Sequence, residues 1–129
     1  APAFQLLAYP MLDDRTGDGP AHTRMWDAFS NRFGWASYLG SADPEVVAPA
    51  RRTDLSGLPP AWIGVGTLDL FHDEDVDYAK RLRDSGVQVA LEIVPGAFHG
   101  FDVLRPRSAL ASSFREAQMA ALKKYLKLF

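Results

Sequence analysis

The chain has 129 residues, 47% of them hydrophobic and 23% charged, with no apolar run of membrane-spanning length; this composition fits one globular domain and excludes disordered and fibrous classes. The formal net charge is −2, from 14 basic and 16 acidic residues without a basic stripe, so neither a nucleic-acid partner nor a membrane span is expected. The absence of cysteine excludes disulfides, Cys-based zinc sites and a thiol nucleophile, and leaves the compartment open, with the cytoplasm as the expectation.

The chain starts Ala-Pro-Ala-Phe, without an initiator Met or a basic region typical of a signal peptide, so a mature end or a cut is expected. Phe4 to Tyr9 is an apolar run closed by Pro10, which predicts a strand buried on both faces. The Asp-, Gly- and Pro-rich stretch from Met11 to Pro20 reads as loop, and His22 as a solvated side chain within a polar segment. From Thr23, a plausible N-cap, to Leu39, the spacing of Met25, Phe29 and Phe33 predicts an amphipathic helix ending near Gly34 or Gly40. Its aromatic residues Trp26, Phe29, Phe33, Trp35 and Tyr38 are candidates for an apolar substrate pocket, and core packing is the commoner use of such residues. Four prolines and Gly57 make Ser41 to Pro60 an irregular connection with at most one helical turn.

Ala61 to Val65 reads as a central strand. Gly64 and Gly66 lack the third glycine and following helix of a nucleotide site, so close packing explains them better. A helix capped by Asp73 follows, with acidic residues in its first turn, basic ones in its last, Gly86 at its stop, and Val76, Ala79 and Leu82 as the buried stripe. Val87 to Val94 alternates apolar and polar positions, which predicts the outermost strand. A long helix over Ser108 to Leu128 carries Leu110, Phe114, Ala117, Ala121 and Tyr125 on one face.

Two short segments look chemical: Gly66 to Asp75, containing Asp69, and Pro95 to Asp102, containing His99. Each follows a predicted strand, and a right-handed crossover makes those strands parallel and leaves both loops on one sheet edge, where α/β proteins bind ligands. An aspartate that holds an imidazole in one tautomer is the supporting half of an acyl-transfer triad. Taken singly, His99 reads equally well as a turn histidine and Asp69 as an Asx-turn residue. The cluster His72, Asp73, Glu74, Asp75 and Asp77 has the composition favoured at a helix N-terminus and lacks a second ligand group, so no metal is expected there. The chain has no Gly-x-Ser-x-Gly elbow, no His-Gly-Gly-Gly segment and no Ser-x-x-Lys, and its serines sit in loop or helix contexts. The relay therefore lacks its nucleophile.

Several strings together resemble the C-terminal part of hormone-sensitive-lipase-like α/β-hydrolases, the serine carboxylesterases and lipases of that group. They are Tyr-Pro-Met-Leu-Asp-Asp at 9 to 14, Trp-x-x-Tyr-Leu-Gly at 35 to 40, Ala-Pro-Ala-Arg at 48 to 51, Leu-Pro-Pro-Ala-Trp-Ile at 58 to 63, the Asp69 segment, and Pro-Gly-Ala-Phe-His-Gly-Phe at 95 to 101. The resemblance covers nearly the whole chain, and Leu70 and Asp75 stand where that group usually has proline and glycine. It implies an α/β fold of about three parallel strands flanked by helices. It also implies that residues 1–129 form one partial α/β-hydrolase domain, whose nucleophile elbow and oxyanion hole belong to sequence preceding Ala1. Asp69 would be the triad acid and His99 the base, with the Trp26 to Tyr38 region near the substrate side. A small-molecule ester is the implied substrate of the intact enzyme, and no cofactor is expected.

Without a neighbour, the Phe4 to Tyr9 strand would expose an apolar edge. The expectation is that the chain self-associates through that edge or stays bound to the missing N-terminal portion. Two further readings stand beside the esterase: a non-catalytic hydrolase-like binding or interaction module, and a prolyl-oligopeptidase-type peptidase, whose C-terminal Asp and His follow the same order.

Overall fold

The computed structural model describes residues 1–19 and 23–127. The order of elements is β1 (Gln5–Ala8), α1 (Ala28–Leu39), α2 (Pro44–Val47), a 3-10 turn (Pro49–Arg51), β2 (Ala61–Gly66), α3 (His72–Asp84), β3 (Val89–Val94), α4 (Phe101–Leu104) and α5 (Ala109–Leu126). The three strands form one parallel sheet in the order β1-β2-β3, with Leu7 opposite Ile63 and Ile63 opposite Leu91. The expected α/β architecture, with β2 central and β3 at an edge, is what the chain adopts.

Alternation along β2 divides the core into two layers, because successive side chains point to opposite faces of a strand. Ala61 and Ile63 pack with Tyr78, Ala79 and Leu82 of α3 and with Leu12 and Leu55. Trp62 packs on the other face with Phe101, Phe114 and Ala121, from α4 and α5. Every residue of β2 is buried, as a strand covered by helices on both faces requires. Fully burying each large apolar side chain contributes roughly 1.5–3 kcal/mol, so this strand anchors both layers.

Five details differ from the sequence reading. All four residues of β1 are half-buried rather than buried, because β1 pairs on one side only. Helix α1 begins at Ala28, capped by the Asp27 carboxylate, which accepts from Ser30 N at 2.8 Å; Thr23 lies outside it. Its predicted apolar face points outward: Met25, Phe29 and Phe33 are 60%, 73% and 70% exposed, while Asn31 and Trp35 are the buried residues. The connection from Ser41 to Pro60 contains two helical turns, α2 and the 3-10 segment, each opened by a proline at its first position, where the missing N–H costs nothing. Helix α3 starts one residue before Asp73 with Phe71 at its cap, and its buried face holds Glu74, Asp75 and Tyr78 with Ala79 and Leu82, while Val76 is only half-buried. Helix α5 begins next to Ser108, as expected, and Ser108 caps it by accepting a bond from Ala111 N at 3.1 Å. The readings of His22 and of the last turn at Leu128 fall outside the described residues. Among the described residues no helix is long and apolar enough to cross a membrane.

Candidate active site

Asp69 and His99 lie 30 positions apart and meet beyond the carboxyl ends of β2 and β3, where the Asp69 Oδ2 to His99 Nδ1 distance is 3.0 Å. Two backbone features bring them together. Gly66 ends β2, and a Cβ there would stand 2.1 Å from the carbonyl oxygen of Ala97, so only glycine admits the β3–α4 loop at this distance. That loop is then tied down by Leu68 N, which donates to the same Ala97 carbonyl at 3.0 Å, and by Gly96 N, which donates to Thr67 Oγ1 at 2.9 Å. The close-packing explanation of Gly66 holds, and its consequence is the juxtaposition of the two loops.

Asp69 combines the two readings that its sequence position left open. Its Oδ1 accepts from Phe71 N at 2.9 Å, an Asx-type turn that launches α3, and its Oδ2 faces the imidazole. The side chain is wholly shielded from solvent, whereas that of His99 is 20% exposed. A carboxylate oxygen only accepts, so Nδ1 carries the ring proton and donates it to Asp69, leaving Nε2 with its lone pair. Among the described residues Nε2 has no hydrogen-bond partner.

The ring is enclosed by aromatic neighbours: Tyr9 edge-on at 4.5 Å, Phe71 edge-on at 5.2 Å and Trp26 tilted at 5.9 Å between centroids. With Ala8, Pro10 and Met11 these residues line an open, mainly apolar pocket of about 330 Å³ that has His99 in its wall. Of the aromatic residues offered by the sequence as pocket candidates, Trp26 alone reaches it. Trp35 is buried, while Phe29, Phe33 and Tyr38 face outward. Trp26 is seated by its indole N–H donating to the buried Asn31 Oδ1 at 3.3 Å and by Gly34, whose absent Cβ would approach the six-membered ring to 3.0 Å.

The acidic stretch after Asp69 divides into unlike parts. Asp73 is exposed and pairs with His72 at 2.7 Å, as residues at a helix start do. Glu74 is buried, and its Oε2 accepts from Leu12 N at 2.8 Å and Asp13 N at 2.7 Å, which anchors the loop after β1 onto α3. Burial outweighs those two donors and pushes its carboxyl up to about 7. Asp75 is fully buried and among the described residues neither oxygen has a hydrogen-bond partner; burial, helped by Glu74 and Asp69 nearby, pushes it up to about 10. Sequence reading placed both residues in the first turn of a helix; the tertiary packing buries them because α3 packs against the sheet.

The sequence reading missed Tyr9 as a contact of His99, along with Met11 and Phe71. No local pattern marks them, since they come from two separate loops and a strand end. The one available signal was position: Tyr9 and Met11 follow the apolar run of β1, at the same sheet edge as Asp69 and His99.

Comparison with known proteins bears on the family and the fold. The family described as alpha/beta hydrolase fold matches residues 1–103. The carboxylesterase NlhH of Mycobacterium tuberculosis is 36% identical over 142 aligned residues, an alignment that takes in 95% of this chain and 42% of the relative. The crystal structure of esterase LipW from Mycobacterium marinum superposes with a TM-score of 0.87 at 38% identity, over 95% of this chain and 40% of that one. A bacterial heroin esterase superposes at 0.84 with 35% identity, over 96% of this chain and 43% of that one. The chain thus spans well under half the length of these relatives. It belongs to the α/β-hydrolase family.

Proposed function

We propose that this chain supplies the acid and the base of a Ser-His-Asp triad in a carboxylic ester hydrolase, with the nucleophilic serine outside these 129 residues. The observation that carries the reading is the bond between a wholly shielded Asp69 and the mostly shielded His99, at the carboxyl edge of a parallel sheet and in the wall of an apolar pocket. The esterase names of the relatives add weight to it.

In this reading the serine hydroxyl attacks the ester carbonyl while His99 Nε2 takes its proton. Asp69 keeps the imidazole in the tautomer that leaves Nε2 free and stabilises the imidazolium that forms. The same proton then passes to the departing alkoxide as the acyl-enzyme appears, and a water activated by His99 releases the acid. The small apolar pocket suits the hydrocarbon part of a small-molecule ester. The serine-bearing portion docks beside β1, whose outer edge offers unpaired N–H and C=O groups; in its absence a second copy takes that place.

The test is intact-mass analysis of the protein from its source before and after a fluorophosphonate probe, beside hydrolysis of p-nitrophenyl acetate. A labelled polypeptide accompanying this chain, with activity lost in a His99→Ala variant, is the expected outcome. Hydrolysis that survives His99→Ala overturns the assignment, and label on this chain itself overturns the external serine.

A further inference from the structure

One hydrogen bond to Asp69 sets the distance of the His99 ring but leaves it free to swing about that bond, so its angle needs a second constraint. The bonds that tie the loop down act at Gly96 and Ala97, on the backbone before His99, and the residue after it is Gly100 at φ 72°, so none of them fixes the angle of the ring. Of the three aromatic rings around the imidazole, Tyr9 is the nearest, and its hydroxyl donates to Asp102 Oδ1 at 2.9 Å, three residues after His99. Tyr9 is therefore tied to α4, which directly follows the loop whose histidine it touches.

Tyr9 is held at every other point as well. Its backbone turns to φ 37°, which a residue with a Cβ seldom adopts, directly after β1 ends. Its N–H donates to the Gly64 carbonyl at 2.6 Å. Its ring lies parallel to Phe114 at 6.1 Å, and Phe114 fits only because Gly64 lacks the Cβ that would stand 2.5 Å from it. The phenol is pushed up to about 12 by burial and by Asp102, so it remains a donor throughout the range in which esterases are assayed.

We propose that Tyr9 and Asp102 form a latch across 93 residues of chain that positions the His99 imidazole for proton transfer, with Tyr9 as the positioning residue and Asp102 as its anchor. The latch rests on the triad reading above and assigns neither residue a place in the chemistry. What it requires of Asp102 is an acceptor oxygen rather than a charge.

The test uses Tyr9→Phe, Asp102→Ala, Asp102→Asn and the Tyr9→Phe/Asp102→Ala double variant, with two readouts. In the active enzyme, Tyr9→Phe and Asp102→Ala should each lower kcat about five- to ten-fold, the worth of one hydrogen bond, with KM within about two-fold of wild type. Asp102→Asn, which keeps an acceptor, should restore most of kcat, and the double variant should be no slower than either single one. In this chain alone, the NMR signal of the His99 Nδ1 proton should exchange faster in Tyr9→Phe and Asp102→Ala than in wild type or Asp102→Asn, at matched thermal midpoints. Wild-type kcat and an unchanged Nδ1 proton in Tyr9→Phe overturn the latch while leaving the triad reading intact. Absence of a protected Nδ1 proton in wild type, or activity that survives His99→Ala, overturns both.

Discussion

Asp69 serves two masters with one carboxylate, and this makes its substitution informative. Asp69→Asn keeps an oxygen for Phe71 N but can turn an amide N–H toward the imidazole, which then presents Nδ1 as acceptor and carries its proton on Nε2. Hydrolysis by the intact enzyme should fall about 10³- to 10⁴-fold with little change in thermal midpoint; a loss below ten-fold at steady state would sink the role assigned to Asp69. Asp75 presents the opposite case, a buried carboxyl without a hydrogen-bond partner among the described residues. Asp75→Ala removes an unsatisfied group and favours the helix, so it should stabilise the chain by about 1–3 kcal/mol, read from urea unfolding. The unfolded chain loses the protons of Glu74 and Asp75 near their ordinary values of 4.5 and 3.8, whereas the folded chain holds them to about 7 and about 10. Between those limits the native state binds more protons, so stability is greatest below about pH 4 on this account and falls as pH rises. The advantage of Asp75→Ala over wild type should accordingly widen from pH 6 to pH 9; a constant difference would show that Asp75 ionises normally.

The elements matter here through their ends. Gly66 closes β2 at the one place where the Ala97 carbonyl crosses, and a methyl group there would force the 95–100 loop outward. Gly66→Ala should destabilise by about 1–3 kcal/mol from overpacking, and should cost the Asp69–His99 bond, seen as loss of the protected Nδ1 proton. If that proton persists, the loop has another way to close. Helix α1 teaches a different lesson. The four-residue spacing of Met25, Phe29 and Phe33 is a sound amphipathic signal, yet Met25 precedes the helix, which turns Phe29 and Phe33 outward and buries Asn31 and Trp35. The reason lies at its start, where Met25 at φ 69° redirects the chain and Trp26 leaves the helix line to cover His99. Periodicity reports that a stripe exists; the direction of entry decides which way it faces.

On the scale of the whole molecule, the sheet has one strand, β2, paired and covered on both sides, and two edge strands of unlike character. β3 has the alternating pattern of an outer strand. β1 has, apart from Gln5, the apolar pattern of an inner one, and half-buried apolar side chains beside a backbone edge unpaired among the described residues favour association. Static light scattering should therefore give the isolated chain a mass above 14.2 kDa that rises with concentration. A strictly monomeric chain at millimolar concentration would count against β1 as the docking edge.

Much of this was legible in the sequence because it depends on residues near one another in the chain. Two apolar runs joined by a helical pattern dictate a parallel crossover, and that crossover alone brings the ends of β2 and β3, with Asp69 and His99, to a common edge. Gly86 at the end of α3 and the start of α5 near Ser108 are equally local. The tertiary structure decided the remainder, because it turns on which surfaces meet. Burial of Glu74 and Asp75 follows from α3 lying against the sheet, the outward face of α1 follows from the turn at Met25, and the hydrogen bond from Tyr9 to Asp102 spans 93 residues that no spacing rule connects. Backbone preference acts over a few residues, whereas desolvation and long-range hydrogen bonds exist only once the layers have packed.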